Sequence, residues 1–210
     1  MKQLLLFLCL GWQLVALGQR TLLLNGVAHI GDGQVLESAA IGVVNDRIVF
    51  VKNALTQTFD PKDWDTIIQL NGQHIYPALV SANNTLGLTE IDAVRATRDF
   101  NDVGIWNPHV RAQVAFNVES RVVETVRTNG VLITQATPRG GLISGTSAIM
   151  NLSGWSWEDA TIVANDGIHV NWPSNKETDA QDKQLIYNLF QTAKAAAFDR
   201  TEPVVELRIE

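Results

Sequence analysis

Apolar positions between Thr21 and about Tyr76 fall in short runs separated by turn residues. Thr21–Leu24 ends at Asn25-Gly26, Val27–Ile30 ends at Gly31-Asp32-Gly33, and Ala39–Val44 passes through Asn45-Asp46 into Ile48–Val51. Thr66–Leu70 and His74–Tyr76 flank a further Asn71-Gly72 turn. Paired Asn, Asp and Gly tolerate the positive φ that tight turns demand, so such spacing predicts strands and hairpins. Several short strands at close spacing imply a small β-sandwich or partial barrel over 19–76.

After Pro77 the texture changes. Ala78–Ala82 is a short apolar run suited to a buried strand, and Leu86 to Pro108 is polar and loop-like. Ser120–Thr128 carries Val122, Val123 and Val126 at helical spacing and stops at Asn129-Gly130. Val131–Thr137 is β-branched and predicts a strand. Strand, helix, strand in that order predicts parallel pairing. Pro138–Gly145 is a glycine-rich loop, and Thr161–Val170 predicts one apolar strand ending near His169. With Asp179 as its cap, a helix is expected through about Phe198, with Leu185, Ile186, Leu189, Phe190 and Ala193 on one face.

Residues 1–18 have the pattern of a secretory signal peptide: Lys2, an apolar core from Leu4 to Leu10, and small Ala16 and Gly18 before Gln19. The stretch is interrupted by Gln13 and falls short of the ~20 residues that a spanning helix needs. Secretion or a periplasmic location is expected, with no membrane span after cleavage. The one cysteine, Cys9, lies inside this segment, so the mature chain is expected to have neither disulfide nor thiol. Net charge is -6, from 16 basic and 22 acidic residues, without a basic patch, which argues against nucleic acid as a partner.

Asn71-Gly72-Gln73-His74-Ile75-Tyr76-Pro77-Ala78-Leu79-Val80-Ser81-Ala82-Asn83-Asn84-Thr85-Leu86-Gly87 resembles the junction of the amidohydrolase superfamily. There a small β-domain hands over to a TIM-like barrel through a glycine, then Pro-Gly-(Leu/Phe)-(Ile/Val)-Asp-x-His-x-His. Thr137-Pro138-Arg139-Gly140-Gly141-Leu142-Ile143-Ser144-Gly145 resembles the imidazolonepropionase-like branch of exported proteins. The resemblance implies an α/β chain with a small β-domain: an N-terminal β-sandwich (composite domain) over 19–76, then the first part of a TIM-like (β/α) barrel over 77–210, truncated. It implies hydrolysis of non-peptide carbon–nitrogen bonds by water on a divalent metal such as zinc.

In the family, His-x-His places two imidazoles on one side of the first strand. Asn83 and Thr85 stand at those positions, Ser81 replaces the preceding Asp, and Ala78 replaces the Gly after Pro77. Amide and hydroxyl groups are poor ligands for zinc-like ions. The expectation is therefore a chain with no metal or catalytic residue of its own and no activity alone. Alternatives are a non-catalytic binding or structural protein, and one half of a split enzyme. A C-terminal barrel half or a homo-oligomer is the expected partner.

Arg139, Gly140, Gly141 and His169 are the substrate-binding candidates. Glycines admit a ligand close to backbone amides, and Arg139 suits a carboxylate or phosphate. A tight loop packed over the barrel rim is the competing reading. Trp155 and Trp157 suit either ligand stacking or, preferentially, core packing. His29 and His74 are expected at surface or hairpin positions without a partner at ligand spacing, and His109 in a loop. Asp99 and Asp102 suit acid–base work or a solvated loop. Asn83-Asn84-Thr85 and Asn151-Leu152-Ser153 match glycosylation acceptors.

Overall fold

A computed structural model describes residues 19–173 and 179–198. The predicted signal peptide with Cys9, and the chain end at 203–210, lie outside the described residues. The chain divides into two compact units between Pro77 and Ala78.

In the first unit, strands β1 (Arg20–His29), β2 (Val35–Val44), β3 (Arg47–Asn53), β4 (Thr66–Gln69) and β5 (His74–Ile75) form one mixed sheet. Its order is β3-β2-β1-β4, with β5 also paired to β1. A sandwich of two sheets is expected from the strand spacing; among the described residues this unit has a single sheet. The predicted Asn45-Asp46 hairpin is present, with φ of 51° and 60° at the two turn residues. Asn25-Gly26, by contrast, does not turn the chain. β1 runs through it, with Asn25 at φ 59° and a register shift against β2. A bulge uses the same positive-φ tolerance as a turn, so local sequence does not separate the two. Leu22, Ala39 and Ala40 are fully buried in this unit.

The second unit opens with β6 (Leu79–Asn84), helix α1 (Arg121–Thr128) and β7 (Val131–Ala136). β6 and β7 pair in parallel, Val80 opposite Ile133 and Ser81 opposite Thr134, as the strand–helix–strand order predicts. The Ser120 hydroxyl caps α1 by accepting from the amides of Val122 and Val123. It donates in turn to Glu90 at 2.8 Å, which places a carboxylate beside the positive end of the helix. Gly130 leaves the helix at φ 91°.

The chain then turns back on itself. β8 (Ile143–Thr146) and β9 (Ala148–Asn151) are followed by α2 (Trp157–Ala160), β10 (Thr161–Val163), β11 (Ile168–Val170) and α3 (Asp179–Phe198). One sheet runs β10-β9-β7-β6, with β9 antiparallel to both neighbours, and β11 pairs with β8 separately. No closed barrel is formed among the described residues. The single strand expected over Thr161–Val170 is two, because Asn165 at φ 53° redirects the chain from β9 to β8. α3 matches its predicted span, but only part of its apolar face is covered: Ile186 is buried and Leu185 is exposed.

The core of this unit gathers Leu88, Phe116, Val123, Ala136, Met150 and Ala160. Gly87, at φ 78°, lies so close to Phe116 that a Cβ there would stand 2.3 Å from the ring. No helix among the described residues is long and apolar enough to cross a membrane.

Candidate functional site

The C-terminal ends of the parallel strands β6 and β7 carry a network of neutral polar groups. Asn84 Nδ2 donates to Ser81 O at 2.7 Å and to Ser81 Oγ at 2.8 Å. Asn84 Oδ1 accepts from the Leu86 amide at 2.8 Å and from Thr134 Oγ1 at 3.0 Å. The Asn84 carbonyl accepts from the Thr137 amide at 2.8 Å. Every polar atom of the Asn84 side chain is thus engaged in holding the strand ends together.

Asn83 sits differently. It has φ 48°, and the β6–β7 register shifts between Ser81 and Asn84. Its amide donates to Gln135 Oε1 at 3.0 Å, and its carbonyl accepts from Arg139 Nη2 at 2.5 Å. Gln135 Nε2 donates to Asp166 Oδ2 at 2.5 Å, and Ser147 Oγ donates to the same oxygen at 3.3 Å. Gln135 and Asp166 escape sequence reasoning; the signal for Gln135 is one amide in a β-branched strand.

This geometry bears on the divalent ion that the resemblance implies. Alternation along a regular strand would aim residues 83 and 85 to one side. The left-handed backbone at Asn83 interrupts that alternation, and Thr85 lies beyond the end of β6. Neutral amide and hydroxyl donors on an interrupted strand end do not fit a zinc-like ion. No group of three or more His, Cys, Asp or Glu side chains suited to a metal occurs among the described residues.

The glycine-rich loop is tied to its neighbours through backbone groups. The Arg139 amide donates to Phe100 O, and the amides of Leu142 and Ile143 both donate to Ile105 O. The carbonyl of Gly141 accepts from Asn171 Nδ2 at 2.8 Å, and that of Gly140 from Ser144 Oγ at 2.8 Å. A Cβ on Gly141 would stand 3.0 Å from the Ile105 backbone, so this glycine serves a close chain approach. His169 lies on β11 opposite Gly145 of β8 and is half-buried. Arg139, Gly140 and Gly141 thus fall together on one loop, with Arg139 reaching the end of β6.

Asp102 Oδ1 accepts from the Val103 amide at 2.7 Å, and His109 is exposed. Trp155 is 82% exposed, against the core position expected for it, because α2 begins beyond it at Trp157. Trp157 packs against the core. Of the two acceptor motifs, Asn151 Oδ1 accepts from both the amide and the hydroxyl of Ser153, and Asn83 is exposed.

With this geometry in view, the solved structures supply a match to the fold. An amidohydrolase from Thermotoga maritima MSB8 superposes with a TM-score of 0.73 over 90% of this chain, at 19% identity. The fold is amidohydrolase-like. The chain spans about half of that protein, 52% of its length. Ochratoxinase from A. niger aligns over only 37% of this chain and 18% of its own, at 21% identity and a TM-score of 0.30, too partial to bear on the fold. No protein-family model matches the chain. None of the curated proteins matches it either.

Proposed function

We propose that this chain is the N-terminal part of an exported amidohydrolase-like protein of the imidazolonepropionase-like kind, one that does not hold the family's metal and is inactive alone. The observation that carries this reading is the end of β6. There Asn83, with left-handed backbone, and Thr85, beyond the strand, stand where the resemblance implies a ligand pair, beside the network of Asn84, Ser81 and Thr134. In such a protein β6 is the first barrel strand. A C-terminal barrel half, in the same protein or as a separate chain, lies against its open edge, where Leu79 and Val80 are 61% and 60% exposed. We infer that Arg139, Gly140, Gly141 and His169 would serve substrate binding, with Arg139 suited to a carboxylate or phosphate.

The test is an amidase and cyclic-imide hydrolase screen with added zinc or manganese, coupled to elemental analysis after dialysis. Neither turnover nor a stoichiometric retained metal is expected. Turnover by the parent chain, or one zinc or manganese retained per chain, would overturn the proposal.

A further inference from the structure

The first unit holds a cluster that the barrel chemistry does not use. His29 ends β1 and His74 begins β5, 45 residues further along. The parallel pairing of Val27 with His74 and Ala28 with Ile75 brings the two side chains to one edge of the sheet. His29 Nε2 and His74 Nδ1 are 2.9 Å apart. Sequence reasoning gave neither histidine a partner; the pairing of β1 with β5 supplies one. Tyr76 closes the group. Its ring stacks on His29 at 4.2 Å and 11°, and its Oη lies 3.4 Å from His74 Nδ1.

The separation has a specific chemical meaning. Two imidazole nitrogens each bound at about 2.0–2.1 Å to one ion lie roughly 2.9–3.4 Å apart as the angle at the metal opens from square to tetrahedral. The observed 2.9 Å is a hydrogen bond between the two rings, so both nitrogens already stand within the reach of one ion once the rings hinge. Copper(II) stands at the top of the divalent affinity order for nitrogen donors.

We propose that His29 and His74 form a surface bis-imidazole chelate for copper(II), with Tyr76 as the residue that positions it. In the metal-free molecule the rings are 22° from coplanar with centroids 5.2 Å apart, so one N–H lies between the two nitrogens. Binding requires that bridging proton to move to the other nitrogen of its own ring. Both neutral imidazoles then present a lone pair and no net proton is released. The rings hinge about their side-chain torsions until the lone pairs converge. His74 is exposed and His29 half-buried, and water fills the remaining coordination positions. Tyr76 holds His29 by stacking. The site belongs to the first unit alone and is independent of the proposed barrel function.

The experiment is copper(II) titration of the purified protein, followed by calorimetry and electron paramagnetic resonance. One equivalent is expected to bind with nitrogen superhyperfine structure from two imidazoles. His29→Ala and His74→Ala should each weaken binding by at least about tenfold, the lower bound for disturbing a metal's surroundings. His109→Ala should leave it unchanged. Tyr76→Phe, which keeps the stacked ring, should retain the spectrum that Tyr76→Ala alters. Because a variant can misfold, the parent protein carries a second measurement: substoichiometric copper(II) should broaden the ring resonances of His29 and His74 before those of other histidines. Copper binding that survives both single substitutions, broadening that begins elsewhere, or no binding at all would overturn the proposal.

Discussion

Replacing Asn84 by alanine tests whether the polar network holds the ends of β6 and β7 together. The side chain makes four hydrogen bonds, of 2.7, 2.8, 2.8 and 3.0 Å, to Ser81 O, Ser81 Oγ, the Leu86 amide and Thr134 Oγ1. Neutral bonds of this kind contribute roughly 0.5–1.5 kcal/mol each. Asn84 is half-buried, so water re-satisfies part of what is lost, and the net cost should be about 2 kcal/mol. Thr134 is fully buried but keeps a second acceptor, Ser81 O at 3.2 Å, which limits the penalty on that side. The assay is amide hydrogen exchange at Leu86 and Thr137, whose N–H groups donate to Asn84 atoms. Protection should fall about thirtyfold, the equivalent of 2 kcal/mol at roughly 1.4 kcal/mol per decade. Asn84→Asp should cost more, because a carboxylate cannot donate to Ser81 O and would face it as a second acceptor. Combining Asn84→Ala with Thr134→Val should be less than additive, since both remove the same bond. A loss under about 0.5 kcal/mol with strict additivity would refute the network's structural role.

Gly87→Ala should destabilise the second unit by about 2–4 kcal/mol in urea unfolding, from the strain of φ 78° and the clash with Phe116 together; a change under about 1 kcal/mol would contradict the observed chain path. The double change Asn83→His with Thr85→His should yield no hydrolase activity with added zinc, because a catalytic zinc takes about three protein ligands and residue 83 sits at φ 48°. Turnover by that variant would show that other side chains complete a site. Exported material should begin at Gln19 on N-terminal sequencing, and secreted protein that still carries Met1 would rule out the cleavage.

Local patterns carried the elements whose cause is local. Val122, Val123 and Val126 at helical spacing, with Asn129-Gly130 after, mark α1 because spacing and stop act within a turn or two of the helix, whereas the Ser120 cap appears only in the structure. Asn45-Asp46 marks a hairpin because both residues must take positive φ. The parallel pairing of β6 with β7 follows from their connection through α1. The replacement of the family's histidines by Asn83 and Thr85 is legible for the same reason: it needs only the residues in order.

Other features depend on contacts between distant segments. Asn25-Gly26 is equally suited to a turn or a bulge, and the pairing of β1 with β2 on one side and β4 on the other decides for a bulge. Thr161–Val170 is apolar enough for one strand, but β8 and β9 each claim part of it. The partners of Gln135 and Arg139 lie 31 and 56 residues away, and the two imidazoles of the first unit meet across 45. The stop of α1, turn chemistry, strand order through the helix and the absence of imidazole at two positions are legible from the residues in order. All of these rest on neighbouring residues and their backbone preferences. Which polar groups meet depends on strand pairing, because the 2.9 Å contact of the two imidazoles is set by the register of β1 against β5 and not by the residues adjacent to either.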